Sequence, residues 1–226
     1  LQDEFDVIFE EDDDFEENIS EVKNLTDAET ECLRELVKML SLNHDNDPKY
    51  IKVLDILNNG VDERDQPWKN SGCIIFSQYY DSAYFVAEKL SKDLSNDVIG
   101  LYAGGDKSGY FLNGTYHKDS KDSIKAKVKN QEIKILVGTD AASEGLNLQT
   151  LSTLINLDLP WNPTRLEQRK GRIQRIGQVA PKVKIFNMRY KDSVEDKVHT
   201  VLSAGLRNIK DMFGQIPDTL EDVWID

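Results

Sequence analysis

From Gly72 onward the chain alternates short, continuous apolar runs with amphipathic stretches, and this alternation is the strongest limit on what it can fold into. The apolar runs at 73–76, 98–102, 133–137, 153–157 and 183–188 are strand-length and lack the every-second-residue polar pattern of a one-sided strand. Helical periodicity falls between and after them, at about 81–94, 120–130, 163–174 and 193–213. Strands apolar on both sides and separated by helices predict an α/β fold of three layers, a parallel sheet with helices on both faces. Ligands of such sheets sit beyond the carboxyl ends of the strands. The segments that matter for function are therefore 77–80, 103–116, 138–148, 158–162 and the basic stretch that follows.

Two helices lead into this core over residues 25–70. Thr26 and Glu29 form a capping-box pattern, and Ala28, Cys32, Leu33, Leu36, Val37 and Leu40 recur at helical spacing. Asp47 and Pro48 open a second helix with Tyr50, Ile51, Leu54 and Leu57 on one face, stopped by Asn59 and Gly60. Residues 1–24 carry dense acids among Phe5, Phe9 and Phe15, so self-repulsion favours a flexible acidic linker. Residues 71–191 make the core domain, and 192–226 a C-terminal helix and a packing tail with Pro217, Leu220, Val223 and Trp224. The chain starts at Leu1 inside an acidic run, the pattern of a segment of a longer polypeptide.

The net charge of −13 does not exclude nucleic acid, because residues 1–31 hold fourteen acids against the single base Lys23 and the remainder is balanced. Cys32 and Cys73 both sit in apolar patterns, as small core residues rather than a disulfide or metal pair, which fits a reducing cytoplasm. No apolar run approaches the roughly 20 residues that span a bilayer.

One stretch concentrates positive charge. Residues 164–178 read TRLEQRKGRIQRIGQ, and from Arg165 to Lys191 nine bases face the single acid Glu167. Gln168, Arg172 and Arg175 fall at i, i+4 and i+7, on one face of a helix, with Ile173, Ile176 and Gly171 between them. Such a face is either a solvated surface or the wall of a cleft, and an arginine in a cleft stabilises a transferring phosphoryl group by about 10³ to 10⁵ in rate. The strand before it runs into a small-residue turn, VGTDAASEGLNLQ, where Gly138 and Gly145 admit a ligand to the backbone and Thr139, Ser143 and Asn147 offer polar groups. The nearest approach to a phosphate-binding loop, GLYAGGDKS at 100–108, has Asp106 before Lys107 and lacks a following helix. Asp140 and Asp158 stand beside different strands and do not pair for Mg²⁺, so the chain holds no metal site and half of a nucleotide site.

CIIFSQY, VGTDAASEGLNLQ and QRKGRIQRIGQ resemble, in order, motifs four, five and six of superfamily-two helicases, and DLPWNP is similar to the connection in the Swi/Snf-type branch. Over about 48–197 the chain resembles the C-terminal RecA-like domain, of P-loop NTPase type, of that branch, which includes bacterial HepA-like translocases associated with RNA polymerase. The resemblance implies an ATP hydrolase parent in which Arg172 and Arg175 are arginine fingers and Gln168 shares their ATP-facing surface. It implies that Gly145 and Asn147 approach phosphate and ribose, and that Thr139, Ser77 and Gln78 touch a nucleic-acid backbone. ATP and Mg²⁺ are then held mainly by an N-terminal RecA-like domain in cis, without which this segment is inactive. Duplex DNA is the implied track, RNA polymerase an implied protein partner, and the bacterial cytoplasm the implied location. Two departures stand out: 103–116 is long and glycine-rich, and Lys121 stands where many relatives carry arginine, ahead of a basic helix with Lys125, Lys127 and Lys129. The competing reading is a non-catalytic nucleic-acid or protein-binding regulatory module whose acidic start competes for the basic stripe.

Overall fold

The apolar runs become strands because each buries side chains on both sides. The computed structural model describes residues 25–43, 46–62, 65–140, 146, 148–160, 163–174, 177–180, 182–197, 200 and 223–225. Its strands are β1 (Cys73–Ser77), β2 (Ile99–Tyr102), β3 (Gly109–Leu112), β4 (Thr115–Lys118), β5 (Ile135–Thr139), β6 (Thr153–Asn156), β7 (Lys184–Met188) and β8 (Val223–Ile225). Its helices are α1 (Asp27–Asn43), α2 (Pro48–Asn59), α3 (Trp68–Ser71), α4 (Tyr80–Asp93), α5 (Lys121–Lys129) and α6 (Pro163–Ile173). The strands form one sheet in the order β4-β3-β2-β5-β1-β6-β7-β8. The six from β2 to β8 in that order are parallel, so the expected α/β sheet is present.

Alternate residues of each strand feed opposite cores. Cys73 and Ile75 of β1 pack with Tyr50, Leu57, Trp68 and Leu90 from α2, α3 and α4. Ile74 and Phe76 pack on the other face with Ile124 and Val128 of α5 and Ile173 of α6. The register sets Ser77 beside Thr139 and Phe76 beside Asn156, which aligns the carboxyl ends of β1, β5 and β6. Burial pushes the Cys73 thiol well above its ordinary pKa, and the residue is a free core cysteine.

The chain divides between Asp47 and Pro48 into two compact units. In the second, α2 belongs to the body: Lys49 Nζ donates to the Leu157 carbonyl at 2.7 Å and pairs with Glu195 at 2.5 Å. Tyr50 donates its hydroxyl to Asp93 at 2.5 Å, and burial together with that carboxylate raises its pKa. In the first unit, α1 has the expected capping box, the Thr26 N–H donating to Glu29 at 2.8 Å and the Glu29 N–H to Thr26 Oγ1 at 3.3 Å. Cys32, expected in a core, is exposed, because α1 buries none of its residues. The expected acidic linker 1–24 and the body of the helix expected at 193–213 lie outside the described residues; 194–197 are helical, and Val223–Ile225 pair with β7.

The largest departure is at 103–116, expected as a long glycine-rich connection. Residues 109–118 form an antiparallel hairpin that extends the sheet beyond β2. Asn113 and Gly114 both have positive φ, 51° and 76°, the primed two-residue turn whose twist matches paired strands. Gly109 permits the close approach of β4, since a Cβ there would lie 2.4 Å from the His117 carbonyl oxygen. Phe111 is fully buried, Tyr84 of α4 packs against both Phe111 and Tyr116, and the Gly114 N–H donates to Ser91 Oγ at 2.9 Å. Gly114→Ala is expected to destabilise the domain by about 1–2 kcal/mol, the penalty for a left-handed residue with a side chain. Urea unfolding checks it, and an unchanged midpoint would show that this turn does not govern the hairpin.

Candidate functional site

The inward face of α6 is set by Leu166 and Ile173, seven residues apart, both buried. Arg169 and Lys170 lie between them on the same face and are buried too, Arg169 with no exposed surface. A fully buried guanidinium demands partners, and the strand ends supply them. Arg169 Nε donates to Asp140 Oδ1 at 2.6 Å, and Nη1 donates to Asn156 Oδ1 at 3.0 Å and to the Asp158 carbonyl at 3.1 Å. Nη2 lies 3.7 Å from the Asp158 carboxylate, and the guanidinium sits 5.3 Å from the centre of the Phe76 ring.

The network continues in both directions. Asn156 donates to Asn187 Oδ1 at 2.7 Å, which reaches β7, and Arg165 lies 3.5 Å from the second oxygen of Asp140. Asp158 accepts the Ser77 hydroxyl at 2.6 Å and the Gln78 N–H at 2.9 Å. Gln78 Nε2 donates to the Leu159 carbonyl at 3.2 Å, and Ser77 Oγ accepts the Tyr79 N–H at 3.1 Å. The segments after β1, β5 and β6 are thus tied to one arginine of α6. Gln178 closes the far end of that helix by donating to the Ile173 carbonyl at 2.7 Å, and the Leu148 N–H donates to the Arg172 carbonyl at 3.3 Å.

Among the residues read from the sequence, Gln168 is exposed and Arg172 half-buried, and neither side chain has a polar partner among the described residues. Thr139 is buried at the end of β5 and Gln78 is half-buried at the end of β1. Ser77, expected to touch nucleic acid, is fully buried with its hydroxyl committed to Asp158, so it holds the strand end rather than facing solvent. Arg175, Gly145 and Asn147 lie outside the described residues. Asp140 and Asp158, set apart by the sequence because they follow different strands, converge on opposite sides of Arg169, since β1 is seated between β5 and β6. Both carboxylates neutralise that arginine, so they do not fit a Mg²⁺ site. The sequence reading missed Arg169, Asn156 and Asn187; the spacing of Leu166 and Ile173 was the available signal for Arg169.

Residues 49–177, more than half of the chain, match the family described as helicase conserved C-terminal domain. The chain belongs to that family. A Bacillus subtilis protein described as an uncharacterized ATP-dependent helicase, YqhH, is 32% identical over 177 residues, covering 78% of this chain and 28% of its own length. The RNA polymerase-associated protein RapA of Haemophilus influenzae is 35% identical over 97 residues, 40% of this chain and 10% of its own. The chain therefore spans little more than a quarter of the first relative and a tenth of the second. The C-terminal part of the Fun30 ATPase domain superposes with a TM-score of 0.52 at 20% identity, covering 74% of this chain and 53% of that one, a likeness of fold.

In this helicase domain, removing the Arg169 guanidinium deprives Asp140 and Asp158 of their shared buried cation, leaving Arg165 at 3.5 Å from Asp140 and the Ser77 and Gln78 hydrogen bonds to Asp158. Arg169→Met is expected to cost about 3–5 kcal/mol, the usual result of deleting one side of a buried ion pair. Chemical denaturation checks it, and a loss below about 1 kcal/mol would mean that the junction is solvated like an exposed pair.

Proposed function

We propose that this helicase C-terminal domain is the second motor lobe of an ATP-dependent translocase that moves on duplex DNA. Its partner lobe is an N-terminal RecA-like domain of the same polypeptide, which holds most of the ATP and Mg²⁺. The observation that carries the reading is the division of labour on α6. Arg169 is fully buried with Nε and Nη1 hydrogen-bonded to the strand ends, while Arg172, three residues on, is half-buried and has no partner among the described residues. A helix held that firmly presents its second arginine to a ligand from outside the domain at little cost in side-chain ordering.

When bound, ATP supplies a phosphoanhydride whose cleavage develops negative charge on the phosphoryl oxygens. Arg172 and Arg175 act as arginine fingers on that charge, with Gln168 on the same surface and Gly145 and Asn147 toward phosphate and ribose. Thr139 and Gln78 contact the nucleic-acid backbone, and Ser77 positions Gln78 through Asp158. Contacts of this kind hold a strand without reading its sequence. Movement of α6 on lobe closure is carried to the end of β1 by the Arg169 and Asp158 bonds, which couples hydrolysis to the track. The likeness to RapA supports RNA polymerase as a protein partner of the full-length molecule in a bacterial cytoplasm.

In the full-length protein, Arg172→Ala and Arg175→Ala are each expected to lower nucleic-acid-stimulated ATP hydrolysis by about 10³-fold or more. The circular dichroism spectrum and melting temperature should stay at wild-type values. Near-normal turnover in both variants would defeat the motor assignment.

A further inference from the structure

The β3–β4 hairpin takes no part in the Arg169 network, yet it is built into the site edge of the sheet. Leu101 pairs with Gly109, and Gly109 pairs with Lys118, so the end of β2, the start of β3 and the end of β4 share the carboxyl edge. That edge is continuous with the ends of β5 and β1, where Thr139 and Gln78 stand. It is also rigid. Ser108 Oγ bonds both the N–H and the carbonyl of Ala103 at 3.1 Å, and the Tyr116 hydroxyl donates to the Ser108 carbonyl at 3.0 Å. Tyr110 and His117, directly opposite on the two strands, stack at 5.0 Å with their planes 17° apart.

Three lysines sit on this edge. Lys107 is exposed with its Nζ 5.0 Å from the ring centre of Tyr80, which opens α4 two residues after Gln78. Lys118 and Lys121 border an open hollow of about 580 Å³ between the 105–108 loop and residues 118–121. Of the nearby acids, Asp119 is taken up by Lys127, a bond that holds its carboxyl below the usual range. Asp106 pairs directly with Lys118 at 3.5 Å, but both side chains are exposed and such a pair is worth little, and Asp81 is exposed on α4. A row of cations on a braced edge, Lys107 and Lys118 exposed and Lys121 half-buried with its Nζ 5.7 Å from the Tyr102 ring centre, fits a polyanion better than a protein groove, which would need apolar anchors.

We infer that the hairpin extends the nucleic-acid path, with Lys107, Lys118 and Lys121 contacting phosphates of the same DNA that passes Gln78 and Thr139. The inference rests on the motor reading. Its test is the binding of the full-length protein to a fluorescently labelled DNA duplex, measured by anisotropy across a salt series. In the triple variant Lys107→Ala, Lys118→Ala, Lys121→Ala, affinity should fall about tenfold or more, and the slope of log K against log salt should shrink by about 2–3, which is about 0.9 for each phosphate that is no longer neutralised. ATP hydrolysis without DNA should be unchanged, as should the binding of Lys52→Ala, altered on α2. If the wild-type protein binds DNA and the triple variant binds it with the same affinity and slope, the hairpin has no such role while the motor reading stands. If the wild-type protein binds no DNA, both fall together.

Discussion

A buried guanidinium is tolerable only where carboxylates and carbonyls enclose it, and the enclosure of Arg169 determines how the working edge of this domain is assembled. Its partners come from the ends of β5 and β6, and through Asp158 it reaches the end of β1. None of these contacts is local in sequence. Each requires the strand order of the finished sheet, so the network is a consequence of the fold and also a lock upon it. Among the described residues both carboxylates are turned to Arg169, and the junction they make is structural, although Nη2 of the guanidinium has no hydrogen-bond partner. On the proposed motor reading, the chemistry comes from side chains on α6 that the junction leaves alone, and from ligands brought by another lobe.

The same logic orders the rest of the edge. Loop 103–108 and the hairpin are fastened by Ser108, Tyr116 and the Tyr84 and Phe111 rings, and Lys107 and Lys118 are exposed along the same carboxyl edge of the sheet. The acidic excess of the chain lies elsewhere, in residues 1–31, so the overall charge of −13 conceals a body able to meet a polyanion. Distribution along the chain decides what such a protein binds, and the sum alone misleads.

The five central strands were legible from local pattern because a strand buried on both faces must be apolar throughout, and each begins or ends within about two residues of its expected place, whereas β3, β4 and β8 were not foreseen. Glycine content drew attention to 103–116 and obscured the Asn113-Gly114 turn, although an Asn-Gly pair flanked by Tyr110, Phe111 and Tyr116 is a hairpin signal. Cys32 follows the apolar stripe of α1, but a stripe reports the capacity to be buried, and α1 is not. Arg169 was hidden by chemistry: among nine neighbouring bases it reads as one more ligand for an outside anion. Only the seating of β1 between β5 and β6 shows that Asp140 and Asp158 are close enough to satisfy it, and strand order is not written in local periodicity.

On the proposed motor reading, one arginine of α6 holds the end of β1 through Asp158, so that a motion of the helix is felt at Gln78. Amide hydrogen exchange of the Gln78 N–H, compared between the wild-type protein and Arg169→Lys, tests it most directly. Lysine keeps the charge but cannot bridge Asp140, Asn156 and Asp158 at once. In Arg169→Lys, Gln78 and the last residues of β1 are expected to lose protection together with α6. Loss of protection confined to α6, with Gln78 exchanging at the wild-type rate, would contradict it.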